Sequence, residues 1–184
     1  MERQLVERAQ RGDRDAFAAL AAASIDRLYG LAKLMLVDAD LAEDAVQEAL
    51  IAAWRDIRAL RDPDRFPFWL HRVLVRCATR TARRERRQVR LHELVPTVDV
   101  VESPARDLES RDEIERIFRR LSADHRAVLV VHHYLDLPDD EAAHVLGVPS
   151  GTYKSRLHRA TAAMRAEHDA DARRAQRAAA GVAR

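Results

Sequence analysis

An all-α chain of two small helical domains, an N-terminal helical bundle and a C-terminal helix-turn-helix joined by an extended linker, is predicted by three observations. Only 5 glycines occur in 184 residues, and the composition is dominated by alanine and arginine, both favourable in helices. Apolar residues recur at helical spacing from about Glu2 to Gln88 and again from Ile114 onward. Between these blocks periodicity fades, and Pro96, Thr97, Ser103 and Pro104 stand among acids. The division predicted is a first domain over residues 1–88, a linker over 89–108, a second domain over 109–168 and a flexible tail over 169–184.

Breaks at Gly12-Asp13, at Asp38-Ala39-Asp40 and at Arg61-Asp62-Pro63-Asp64 cut the first block into four helices. The third, from Asp40 to about Leu60, turns Val46, Leu50, Ala53, Ile57 and Leu60 inward. Its other face carries Asp44, Gln47, Glu48 and Arg55 together with the apolar Ile51, a mixture that suits a protein interface. Acids near a helix start also complement its dipole, so part of this charge has a purely local use.

The fourth helix begins near Pro67 and buries a stripe of Leu70, Val73, Leu74, Cys77 and Thr81. Arg72, Arg76, Arg80, Arg83 and Arg87 form a column on another face. That column is ~22 Å long and can face about six successive phosphates. Just before it stand Phe66, Phe68 and Trp69. Trp69 reads as a core residue and Phe66 has the same alternative, while aromatics beside an arginine row suit unpaired bases, which stack on rings while guanidinium groups hold the backbone.

The linker of about 20 residues could reach ~66 Å if extended. Beyond it, Ile114, Ile117, Phe118 and Leu121 resume helical spacing, and Ser122 can cap a helix running to about Tyr134. The helix-turn-helix follows. Gly147 can take the left-handed conformation that ends the Asp139 to Leu146 helix, Pro149 cannot continue it, and Ser150 can cap the next. In that second helix Tyr153, Leu157, Ala160 and Met164 share a buried stripe. The opposite face carries Thr152, Ser155, His158 and Arg159, flanked by Lys154 and Arg156, and can meet both phosphates and base edges in a major groove. The tail from Asp169 shows no apolar stripe that would dock it and is expected to fray.

Charge is segregated. His71 to Arg90 carries eight arginines against one glutamate, and Leu91 to Glu115 carries eight acids against two arginines. Blocks of opposite sign suggest separate surfaces for separate partners. A lone cysteine, Cys77, excludes an internal disulfide, and the longest apolar run, Ala16 to Ala23, is far short of a bilayer span. His132 and His133 are adjacent in sequence and do not converge on one ion, so neither a metal, a cofactor nor enzyme activity is expected. A helix-turn-helix regulator with a helical dimerisation block is the competing reading, although such a block needs no acidic face beside an arginine column.

From about Asp15 to Arg165 the chain resembles an extracytoplasmic-function (ECF) sigma factor, group IV of the sigma-70 family of bacterial RNA polymerase. The resemblance is carried by Asp44-Ala45-Val46-Gln47-Glu48 with Trp54, by Phe66 and Trp69-Leu70, and by Leu121, Arg126, Glu141-Ala142 and Leu146-Gly147. It continues through Gly151-Thr152 and Lys154-Ser155-Arg156-Leu157-His158-Arg159-Ala160. The resemblance implies a cytoplasmic protein that binds core RNA polymerase and directs it to promoter DNA, duplex and melted. Asp44, Gln47, Glu48 and Ile51 would dock on clamp helices of the largest subunit, and the second block would touch the flap of the other large subunit. Thr152, Lys154, Ser155, Arg156, His158 and Arg159 would read the minus-thirty-five element. Phe66, Phe68, Arg72, Arg76, Arg80, Arg83 and Arg87 would hold the melted minus-ten strand. An anti-sigma factor is the implied regulator, with no insertion into a membrane. Arg76 and Arg80 depart from the Asn and Asp of many relatives, and Tyr153 from the usual Val.

Overall fold

The computed structural model describes residues 2–93, 113–135 and 137–182, all helix, turn or irregular chain. The first block is a bundle of α1 (Glu2–Gln10), α2 (Arg14–Leu36), α3 (Ala39–Asp56) and α4 (Phe66–Glu93). Each break has a local cause. Asp13 accepts a hydrogen bond from the Ala16 amide at 3.0 Å and Asp38 one from the Leu41 amide at 2.9 Å, so α2 and α3 both start on side-chain caps. Two short 3-10 turns, Ile57–Ala59 and Pro63–Arg65, carry the chain from α3 to α4. Gln10 fastens the first of them, donating to the carbonyls of Ile57 and Leu60 at 3.1 and 2.7 Å.

Leu28 from α2, Ala45 and Ala49 from α3, and Leu70, Leu74 and Ala78 from α4 are fully or almost fully buried. Alanines in this seam let helices approach closely, and each buried leucine contributes about 2 kcal/mol of apolar transfer. The four-helix division predicted for this block is what the structure shows, while α4 runs past Gln88 to Glu93. The connector expected at residues 89–108 therefore begins inside α4, and its remaining part lies outside the described residues.

The second block contains α5 (Glu113–Arg120), α6 (Ala123–Tyr134), α7 (Asp139–Leu146) and α8 (Ser150–Val182). Ser122 caps α6 by accepting from the His125 amide at 3.2 Å. The tail beyond His168, expected as a fraying helix, is the continuation of α8 to Val182, and Arg120 reaches it from α5, at 2.5 Å from Asp171 and 3.4 Å from Glu167. The docking is polar, which is why no apolar stripe announced it. The hydrogen bond from Arg120 holds the Asp171 carboxyl below its ordinary value, although burial opposes the shift.

Candidate nucleic-acid interface

The helix-turn-helix is closed at its corner by Gly147, whose φ of 62° and ψ of 44° lie in the left-handed region. Val148 donates its amide to the Ala143 carbonyl at 3.0 Å and Gly147 donates to that of His144 at 3.1 Å, which uses carbonyls that the end of α7 would otherwise leave open. One detail differs from the sequence reading. Ser150 already lies within α8, and the first helical bond runs from the Tyr153 amide to the Pro149 carbonyl at 3.0 Å. Pro149 therefore occupies the N-cap position that the sequence reading gave to Ser150.

Tyr153 is wholly buried, as is Ala160, and Leu157 and Met164 pack beside them. Burial, with a smaller effect of Asp139, raises the Tyr153 phenol above its usual value. This fixes the azimuth of α8. Lys154, Ser155, His158 and Arg159 are exposed, whereas Thr152 and Arg156 are half-buried. The Ser155 hydroxyl donates to the Thr152 carbonyl at 3.1 Å and Arg159 Nε donates to that of Ser155 at 3.2 Å. Lys154 lies 3.6 Å from Asp139 and Arg156 3.3 Å from Asp124.

The arginine column is less free than its sequence suggests. Arg72 lies 3.6 Å from Glu141 and sits over the Phe68 ring, 6.0 Å from its centroid. Arg80 pairs with Glu48 at 2.9 Å and donates to Cys77 Sγ at 3.3 Å. Arg83 donates to the carbonyl of Leu146 at 2.7 Å. Arg76 and Arg87 are exposed. Arg86, which sequence reasoning passed over, pairs with Asp124 at 2.8 Å.

Phe66 needs correcting as a stacking residue. It is 1% exposed and lies against Trp69 with ring centroids 6.1 Å apart, so it has no open face for a base. Its spacing of four from Leu70 was the signal of an inward position. Phe68 is half-buried, with Arg72 over its ring.

The acidic face of α3 is open. Asp44, Gln47 and Glu48 are exposed, and Ile51 is 62% exposed, the largest such value among the described large hydrophobic residues. Among the described residues no cluster of three or more His, Cys, Asp or Glu could hold a metal, and no helix is long and apolar enough to cross a membrane.

Comparison with known proteins places these faces in a family context. The Sigma-70 region 2 family matches residues 20–88, which contain the acidic face and the whole arginine column, and the Sigma-70 region 4 family matches residues 111–164, which contain the helix-turn-helix. The chain is 33% identical over 183 residues to the RNA polymerase sigma-H factor of Pseudomonas aeruginosa, covering 89% of this chain and 91% of that protein. It is 27% identical over 178 residues to the ECF RNA polymerase sigma factor SigW of Bacillus subtilis, covering 90% and 95%. Among solved structures, CnrH in complex with the cytosolic domain of CnrY matches with a TM-score of 0.58 at 28% identity, over 92% of this chain and 98% of that one. The sigma factor RpoE of Bartonella quintana, in complex with the anti-sigma factor NepR, matches with a TM-score of 0.59 at 25% identity, over 84% and 98%. With both matched regions in order and full-length relatives of this similarity, the chain belongs to the ECF group of the sigma-70 family.

Proposed function

We propose that this chain directs core RNA polymerase to promoters through three surfaces whose residues are named above, acting as a non-catalytic cytoplasmic initiation factor. Asp44, Gln47, Glu48 and Ile51 dock on basic clamp helices of the largest polymerase subunit, and the second block contacts the flap of the other. Thr152, Lys154, Ser155, Arg156, His158 and Arg159 read the minus-thirty-five duplex through phosphate and base-edge contacts. Phe68 with Arg72, Arg76, Arg80, Arg83 and Arg87 holds the melted minus-ten strand by ring contact and charge. Two weak DNA contacts joined on one polymerase gain from effective concentration, so neither block has to bind tightly alone.

The observation that carries this reading is the presentation of opposite charges on separate helices, an exposed acidic face with Ile51 on α3 and an exposed Ser155, His158 and Arg159 face on α8. The solved relatives held by CnrY and by the anti-sigma factor NepR support an anti-sigma protein as the regulator of this chain too. Reconstitution with core polymerase, followed by mapping of transcript starts on genomic DNA, tests the function. New selective start sites are expected. Core polymerase that gains no selectivity from the added chain contradicts the proposal.

A further inference from the structure

Helices α1 and α2 and the start of α4 border a cleft of about 420 Å³, a volume in the range of small-molecule sites. No residue that lines it belongs to the surfaces proposed for polymerase or DNA. Leu5, Leu20, Pro67 and Leu70 give it apolar walls, and Leu20 and Leu70 are at most 2% exposed, so they form its floor. About one turn of a helix with its side chains would fill this space, which fits a small molecule better than a segment of a protein partner.

Two polar groups of the cleft are left unused by the fold. His71 is only 9% exposed, yet its ring forms no hydrogen bond among the described residues and lines the cleft. Arg27, exposed on α2, likewise has neither a hydrogen bond nor an ion pair among the described residues. Burial first and the Arg27 charge second lower the His71 imidazole, which puts the guanidinium in electrostatic reach of the ring. Ser24 is already engaged, its hydroxyl donating to the Leu20 carbonyl at 2.8 Å. Arg27 and the His71 N–H are therefore the donors on offer, and they stand beside leucines. Glu2 lines the same cleft and is exposed, so a second negative group in the cleft meets a like charge.

We propose that this cleft binds a small monocarboxylic acid with an aliphatic body, about the size of hexanoate. Arg27 and His71 receive the carboxylate through charge-assisted hydrogen bonds, Leu5, Leu20, Pro67 and Leu70 cover the chain, and Glu2 discriminates against a dianion. The site lies wholly in the first block and depends on no contact with DNA or polymerase.

The test titrates sodium hexanoate into the full chain carrying nitrogen-15 histidine at neutral pH, with the His71 imidazole signals identified by their loss in His71→Leu. A saturable shift of those signals is expected, with a dissociation constant on the order of 1 mM, as suits a ligand of so few atoms. Adipate and hexylamine, of the same chain length, are expected to bind on the order of fivefold more weakly or not at all. Arg27→Gln is expected to weaken hexanoate on the order of fivefold, and Arg27→Lys to recover part of the loss, because the charge is kept. Ala23→Phe places a ring in the cleft from an exposed position of α2 and is expected to abolish the shift.

Urea melts without hexanoate confirm that each variant keeps the wild-type midpoint, and hexanoate is expected to raise that midpoint in wild type but not in Ala23→Phe. No saturable shift at His71 in the wild-type chain overturns the inference. So does a shift that both Arg27→Gln and Ala23→Phe leave unchanged, or one that adipate and hexylamine reproduce at equal concentration.

Discussion

Arg126 and Met35 join the two blocks through a half-buried hydrogen bond: Arg126 Nε donates to the Met35 carbonyl at 2.8 Å, while its Nη1 donates to that of Leu121 at 2.7 Å. Met35 lies in the last turn of α2, whose following residue Val37 has φ 69°, a costly conformation for a β-branched side chain. The guanidinium thus satisfies a carbonyl at a helix end that cannot extend further. Arg126→Met is expected to lower unfolding stability by about 2–3 kcal/mol, because both carbonyls lose a charged donor. An unchanged midpoint in urea denaturation contradicts this.

Gly147→Ala is expected to cost about 1–2 kcal/mol through the left-handed backbone. Space is not the problem, since an added Cβ would stand 3.5 Å from Arg83 Nη1, an ordinary contact. Gly147→Asn should lose less, because asparagine tolerates this conformation better. Urea melts that rank alanine above asparagine in stability are the opposite result.

His71 gives a pH dependence. Burial, followed by the positive charge of Arg27, lowers its imidazole below the usual 6.5. Above that value both folded and unfolded chains hold it neutral. As pH falls below 6.5 the unfolded chain takes up the proton first, so stability declines until the folded group also protonates. His71→Leu is expected to flatten this part of the profile, and an identical slope in wild type and variant between neutral and mildly acid pH refutes the assignment.

Arg159→Ala is expected to reduce promoter use by about 1–3 kcal/mol where Arg159 meets a base edge, with core binding intact. Transcription at limiting holoenzyme, compared on promoters with and without a strong upstream element, provides the measurement. Equal output from wild type and variant counts against the recognition face.

Asp44→Lys is expected to weaken core-polymerase affinity on the order of tenfold by opposing the charge of the dock. Asp44 is exposed on α3, so its replacement leaves the bundle core intact. Competition for core polymerase against the wild-type chain reads the change, and an equal share of polymerase argues for a different docking face.

Local patterns were legible where a single element decides them. The stripe of Leu70, Leu74 and Cys77, the Ser122 cap and the left-handed Gly147 follow from spacing and backbone preference, and the structure places them so. Phe66 shows the limit of reading chemistry before periodicity, because its aromatic ring suggested a base while its register made it core. The pairing of Arg126 with Met35 joins residues 91 positions apart through a backbone carbonyl, and every residue has one, so no sequence pattern marks it. The same applies to Arg83 and Leu146 and to the polar docking of α8 on Arg120.

The length of α8 has a mechanical consequence. From Ser150 to Val182 it is one rod of 33 residues, ~50 Å long, with the residues proposed to read the duplex at its start. Arg120 grips this rod at Asp171, about three turns beyond Arg159. That contact ties the far part of the rod to α5, so the direction in which its leading turn points is held by a side chain that lies outside the helix-turn-helix.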